Sequence, residues 1–198
     1  DHPLLISTIF EHAVKNYNKQ EIVSNTVEGG IHRYTYFDWG KRTKKLANAF
    51  KSLDLKESDR VGTLAWNGYR HLEIYYATSS SGLVCHTINP RLHPDQVSYI
   101  LNHAQDKVLC VDLNILPLVE KASENFKTVK EIIIMTDNKN MVQPNIKDSI
   151  DIMIKPKEII IPGNEAFKAY FEALFECYKN YIEEWPFLKD LAQRLEIG

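Results

Sequence analysis

Glycine is scarce in this chain, and its few glycines are not arranged to hold a phosphate group. The 198 residues contain eight glycines, with no G-x-G-x-x-G and no G-x-x-x-x-G-K-S/T pattern. Such loops bind nucleotides because their backbone N–H groups can approach the phosphates closely. Gly29 and Gly30 instead lie between two β-rich runs, where a hairpin needs residues that accept positive φ. We therefore expect no nucleotide site built by this chain alone.

Cysteine is also rare, and its spacing excludes two further kinds of structure. Cys85, Cys110 and Cys177 are far apart, and neither C-x-x-C nor H-E-x-x-H occurs. Disulfide frameworks and zinc sites need paired or clustered ligands, so we expect neither, and no metal ligand is assigned. An odd number of unpaired thiols is typical of a reducing, cytoplasmic compartment.

Long apolar runs and an excess of charge of one sign are missing as well. The chain has 24 basic and 26 acidic residues, for a net charge of −2. A balanced charge of this kind does not favour nucleic acid or an anionic membrane surface. No apolar run approaches 18 residues and no signal-peptide pattern opens the chain, so no transmembrane segment is expected.

The middle of the chain has short apolar runs alternating with helical patterns. Because parallel neighbours need crossover connections, this alternation predicts an α/β fold with a mostly parallel sheet and helices on both faces. The predicted strands are 61–66, 83–88, 107–112 and 129–136, and the predicted helices among them include 69–81, one starting at Pro94, and 114–124.

Two further helices and a hairpin are predicted before this alternation. Thr8 and Glu11 have the spacing of a capping box, which predicts a helix over 8–17. Thr35 and Asp38 repeat that pattern and open a helix over about 36–53, with a solvent-exposed basic side. That side contains Lys41, Arg42, Lys44 and Lys45.

The character of the sequence changes after Asp137, which predicts two parts, 1–137 and 138–198. The run IDIMI favours a short edge strand or an isolated hairpin. A helix starting near Asn164 has an aromatic stripe, which would form a large apolar patch if exposed and is a candidate self-association surface. The stripe includes Phe167, Phe171, Leu174, Phe175 and Tyr178.

No catalytic residue is predicted from the residue pattern. The G-x-S-x-G signature of a hydrolase nucleophile is missing. His71, Glu73 and His86 could be combined as an acid–base group, but nothing in their spacing requires it. We expect them to be hydrogen-bonded structural residues.

Four segments together resemble a known enzyme family. DRVGTLAWN, RHLEIYYA, HTINPRL and YILNHAQDKVL occur in an order similar to the N-terminal region of medium- and long-chain fatty acyl-CoA synthetases. These enzymes belong to the adenylate-forming, AMP-binding superfamily, and the resemblance covers about residues 4–137. It implies ATP-dependent activation of a fatty acid to an acyl-adenylate, with Mg²⁺ on the phosphates, followed by transfer of the acyl group to CoA.

The resemblance also implies what this region does not contain. The family's phosphate-binding loop, rich in Ser, Thr and Gly and ending in Pro-Lys-Gly, does not occur in these 198 residues. The matching region is scaffold in the family, and the loop corresponding to Asn89–Leu92 lies near the nucleotide end of CoA. Arg91 is therefore the one ligand contact that the resemblance implies, since a guanidinium suits a phosphate or a stacked purine. Ser58 stands where relatives have glycine, and the segment after Asp137 departs from the family.

Three hypotheses about function follow. The first is part of an AMP-forming fatty acid–CoA ligase that is inactive alone because the phosphate loop is absent. The second is a catalytically dead interaction or dimerisation module derived from that fold, which would use the aromatic stripe. The third, a small flavodoxin-like ligand binder, would require a cofactor retained on purification, and the missing glycine loops argue against it.

Overall fold

A computed structural model describes residues 3–140, 142, 144–146 and 151–154. The chain divides into two compact units, 1–159 and 160–198, and all the described residues belong to the first. The sequence-based division at 137 stays a prediction. The aromatic stripe of Phe167, Phe171, Leu174, Phe175 and Tyr178 lies outside the described residues, so self-association through it also stays a prediction.

The first part of the chain packs two helices against a hairpin. Helix α1 spans Ile6–Asn16 and α2 spans Tyr36–Lys51, and strands β1, Glu21–Asn25, and β2, Ile31–Thr35, pair antiparallel between them. The predicted turn is confirmed, since Gly29 and Gly30 have φ of +94° and +97°. The predicted cap of α2 is also confirmed, because the Thr35 hydroxyl accepts from the Asp38 N–H and the Asp38 carboxylate accepts from the Thr35 N–H.

The predicted start of α1 is wrong by two residues. The helix begins at Ile6, its N-cap is Leu5, and no side chain caps it. The Thr8 N–H donates to the Leu5 carbonyl instead. A capping box stabilises a helix end by only about 1 kcal/mol, so one more turn of backbone hydrogen bonds can outweigh it.

The predicted parallel sheet is confirmed. Over residues 60–135, strands alternate with helices. The strands are β3 (Arg60–Leu64), β4 (Val84–Thr87), β5 (Val108–Asp112) and β6 (Glu131–Met135), and the helices between them are α3 (Tyr69–Ser79), α4 (Pro94–Ala104) and α5 (Leu116–Ser123). Short 3-10 turns occupy Leu113–Ile115 and Asn138–Asn140. The last described strand, β7, Asp151–Ile154, pairs parallel with β6, so the run IDIMI forms a strand at the edge of the described sheet. The order is β4–β3–β5–β6–β7, all parallel.

Helices cover both faces, because the inner strands are apolar on both sides. Val61, Val108 and Ile133 face α2 and α3 together with Phe50 and Ile74. Leu64, Leu109 and Ile134 face α4 and α5 on the other side. A third cluster joins α1 to the hairpin and α3 through Phe10, Tyr34, Trp39 and Tyr69. Each fully buried aliphatic side chain contributes about 1.5–3 kcal/mol to the free energy of folding, so packing on both faces stabilises the sheet.

Candidate functional site

The strand order places a candidate site at the carboxyl ends of β3 and β5. β3 and β5 are neighbours in the sheet, and the connection after β3 leads to β4 on one side, whereas the connection after β5 leads to β6 on the other. In open α/β sheets such a switch point is where ligands bind, outside the carboxyl ends of the strands. Trp66 and Asn67 follow β3 at this edge, and Asp112 is the last residue of β5.

Trp66 is held at both of its backbone polar groups. Its N–H donates to Asp112 Oδ2 over 2.7 Å, and its carbonyl accepts from His71 Nδ1 on α3 over 3.3 Å. The second ring nitrogen of His71 lies 3.0 Å from Thr63 Oγ1. Because a carbonyl can only accept, Nδ1 holds the proton and Nε2 accepts from the threonine hydroxyl. Burial lowers the pKa of His71, so it stays neutral and both bonds persist at neutral pH.

Arg91 lies above this tryptophan on the loop that follows β4. The Arg91 N–H donates to Asn89 Oδ1 over 2.9 Å, which fixes the turn. The Arg91 guanidinium carbon then lies 5.4 Å from the centroid of the Trp66 ring, within the range of a cation–π contact. Arg91 is exposed, as is 37% of Trp66. Among the residues that the structure describes, no carboxylate lies within 4.0 Å of this guanidinium.

The crevice beside Trp66 is filled by the tip of the β1–β2 hairpin. Glu28 forms a buried ion pair with Arg70, at 2.9 Å, and its carboxylate accepts from the Thr136 hydroxyl at the end of β6. The space left between the hairpin, Trp66 and Asp112 is about 30 Å³, which is about the volume of one water molecule. That is far below the roughly 300–1,000 Å³ of a typical ligand pocket. Next to this crevice, Arg91 and Trp66 are both exposed.

The three residues that could have formed an acid–base group each have a different partner in the fold. His71 holds the loop after β3, and Glu73 pairs bidentately with Arg42 through contacts of 2.7 and 3.2 Å. His86 lies 2.8 Å from the fully buried Asp106, and burial raises the pKa of that carboxyl. The structure therefore shows His71, Glu73 and His86 hydrogen-bonded to different partners, and their lack of a catalytic role stays a prediction.

Arg42 itself corrects the sequence analysis. It was expected on the solvent side of α2 with three lysines, but only 20% of its side chain is exposed, because it reaches Glu73 on α3. Lys41, Lys44 and Lys45 are exposed as expected. In the described part of the chain, no group of three or more His, Cys, Asp or Glu side chains is arranged to hold a metal ion, and no helix is long and apolar enough to cross a bilayer.

The resemblance implied Arg91, which stays a prediction, whereas the sequence analysis did not predict the contacts of Trp66, Asp112 and Glu28. The partners of Trp66 and Glu28 lie more than 40 residues away in the chain. One signal was present, since Trp66 and Asp112 each stand at the end of a predicted parallel strand. Strand ends of a parallel sheet meet at one edge, so both were candidates for it.

The fold is an α/β domain of the kind found at the N-terminus of adenylate-forming enzymes. A solved anthranilate CoA ligase in complex with anthranoyl-AMP has the same fold, with a TM-score of 0.60 over 68% of this chain and 26% of that one, at 23% identity. The family model of the AMP-binding enzymes matches residues 10–166. The chain belongs to the AMP-binding enzyme family, and the resemblance inferred from its four segments is confirmed.

The individual relatives match most of this chain, but the match covers only a small part of each relative. The chain is 47% identical to a 3-methylmercaptopropionyl-CoA ligase of Ruegeria lacuscaerulensis over 133 residues, which is 67% of this chain and 25% of the relative. It is 41% identical to a medium-chain-fatty-acid–CoA ligase of Ectopseudomonas oleovorans over 164 residues, which is 83% of this chain and 29% of the relative. The chain therefore matches about a quarter of the length of these relatives.

Proposed function

We propose that this chain forms part of the N-terminal domain of an ATP-dependent, AMP-forming fatty acid–CoA ligase. The reaction converts a fatty acid and ATP to an acyl-adenylate and pyrophosphate, and then transfers the acyl group to CoA. Support comes from the family match over residues 10–166 and from relatives named as CoA ligases at 41–47% identity.

Within that reaction, these residues supply scaffold and not the adenylation chemistry. Stabilising charge on a transferring phosphate needs positioned donors and a metal. These 198 residues contain no glycine-rich phosphate loop, and the crevice at the switch point holds only about 30 Å³. We therefore propose that other residues of the ligase supply the ATP and Mg²⁺ sites and that the 198 residues alone are inactive.

The one ligand contact that we assign is Arg91, for the nucleotide end of CoA. The observation that favours it is an exposed guanidinium that lies over an aromatic ring and has no carboxylate within 4.0 Å among the described residues. A guanidinium with open donors binds phosphate oxygens through charge-assisted hydrogen bonds. We also propose a cytoplasmic location, since Cys85 and Cys110 are free thiols.

The exchange of pyrophosphate into ATP tests the proposal, because it reports only the first half-reaction. The purified 198-residue chain should show no fatty-acid-dependent exchange above a heat-denatured sample. A full-length ligase that contains these residues should show exchange with fatty acid and thioester formation with CoA. Robust exchange by the 198 residues would contradict the assignment as scaffold, and a full-length protein with another activity would contradict the ligase itself.

A further inference from the structure

We propose that Trp66 is a positioning residue that holds the Arg91 guanidinium in place for the nucleoside bisphosphate end of CoA. This inference rests on the proposed function, since it takes Arg91 as the CoA contact, and it adds the means by which the fold prepares that contact. The observation behind it is the 5.4 Å contact between the guanidinium carbon and the indole ring.

The indole is not part of the hydrophobic core. Trp66 is absent from all three buried clusters of the described residues, and 37% of its surface is exposed. The Trp66 ring contacts the Arg91 guanidinium, so the two side chains form a pair at the carboxyl ends of the strands.

The backbone of Trp66 is fixed by the neighbouring strand β5 and by helix α3. Asp112 at the end of β5 accepts its N–H over 2.7 Å, and His71 on α3 donates to its carbonyl. His71 is in turn bonded to Thr63 within β3. The loop after β3 therefore has little freedom, and the direction in which the indole leaves it is set by three elements of the fold.

A fixed indole lowers the cost of ordering the arginine. A free arginine side chain loses rotamer entropy when it binds an anion, and a group already held in place loses less. The cation–π contact leaves the N–H donors of the guanidinium free for phosphate oxygens. At an exposed site the contact should improve binding of the phosphate by about two- to fivefold.

The test is a titration of the 198-residue chain with adenosine 3′,5′-bisphosphate, followed by the indole N–H signals in a ¹H–¹⁵N NMR spectrum. The chain has three tryptophans, and Trp66→Phe identifies the signal of interest by its loss. We expect the bisphosphate to shift that signal in a saturable manner, and adenosine without phosphate to leave it unchanged. The affinities of the Trp66 variants are then read from backbone amide signals in the loop after β4.

Each variant has a distinct expected result. Arg91→Ala should weaken binding at least tenfold, and Trp66→Leu should weaken it about two- to fivefold. Trp66→Phe keeps an aromatic face and should stay within twofold of the original chain. Arg33→Ala removes an exposed cation elsewhere and should bind like the original chain.

The outcomes separate this inference from the proposal on which it rests. Equal affinity of Trp66→Leu, Trp66→Phe and the original chain, with binding lost in Arg91→Ala, would overturn the role of Trp66 and leave Arg91 as the contact. Equal affinity of Arg91→Ala and Arg33→Ala, or no saturable shift by the bisphosphate at millimolar concentration, would overturn both. Neither result alters the exchange assay, which tests the ligase reaction separately.

Discussion

Replacing Glu73 with glutamine should destabilise the chain strongly. Glu73 is fully buried on α3, and its carboxylate receives two hydrogen bonds from Arg42 on α2, at 2.7 and 3.2 Å. Glutamine keeps the shape and one acceptor but removes the negative charge that faces the guanidinium, whose side chain is only 20% exposed. Removing one partner of a buried ion pair costs about 3–5 kcal/mol, and we expect about 3 kcal/mol because one hydrogen bond survives.

Urea unfolding followed by circular dichroism measures this loss. With a denaturant dependence of about 2 kcal/mol per molar, a loss of about 3 kcal/mol lowers the urea midpoint by about 1.5 M. The matched control is Glu21→Gln, which breaks the exposed pair of Glu21 with Arg33, whose side chains are 56% and 58% exposed. That pair should contribute no more than about 1 kcal/mol.

A double variant tests the physical reason directly. Arg42→Met with Glu73→Leu removes both charges and fills the same space with apolar groups. Such replacements are often neutral or stabilising, so the double variant should recover most of the stability that Glu73→Gln loses. The reasoning is refuted if Glu73→Gln loses less than about 1 kcal/mol, or if the double variant is the less stable of the two.

Three further changes follow from single positions. Ser58 has φ of +69°, a left-handed backbone conformation that is strained for serine and not for glycine. Ser58→Gly should therefore raise the free energy of unfolding in urea by about 0.5–1 kcal/mol, and a lower free energy of unfolding would contradict this strain. Because the pKa of His71 is lowered in the folded chain, the unfolded chain binds a proton at this histidine more readily. The contribution of the neutral His71 ring to stability is therefore complete above about pH 6.5 and declines as the pH falls below that value. The fall in unfolding free energy from pH 7.5 to 5 should therefore be smaller in His71→Asn, and an unchanged fall would contradict a buried neutral ring. Finally, Gly62→Ala would place its Cβ 3.0 Å from Leu101 and should lower the free energy of unfolding by about 1–3 kcal/mol. The control Gly68→Ala, whose Cβ meets no atom nearer than 4.0 Å, should lower the thermal midpoint far less. Equal losses in the two variants would contradict the close packing at Gly62.

The sheet could be predicted from the sequence because its signals are local. Each inner strand is an apolar run whose successive residues face opposite layers, as Leu109 and Cys110 do in β5. The helices between them have the 3.6-residue period that packing on a sheet requires. Pro94 marks the first position of α4, where its missing N–H costs nothing.

The site could be predicted only in part, because its contacts join distant positions. The hydrogen bond of Trp66 to Asp112 depends on β3 lying next to β5, which no local period reveals. Glu28 lies in a turn, and its partners Arg70 and Thr136 follow 42 and 108 residues later. Arg42 was placed in solvent by the basic pattern of its own helix, although its partner Glu73 lies on the next one.

A chimeric enzyme tests the central claim most directly. Residues 10–166 of this chain would replace the matching segment of the medium-chain-fatty-acid–CoA ligase of Ectopseudomonas oleovorans, and the formation of acyl-CoA would be measured as CoA is varied. We predict a folded, active ligase in which Arg91→Ala raises the KM for CoA by about tenfold or more and leaves fatty-acid-dependent pyrophosphate exchange unchanged. A folded chimera that forms no thioester, or one in which Arg91→Ala leaves the KM for CoA unaltered, would contradict the account.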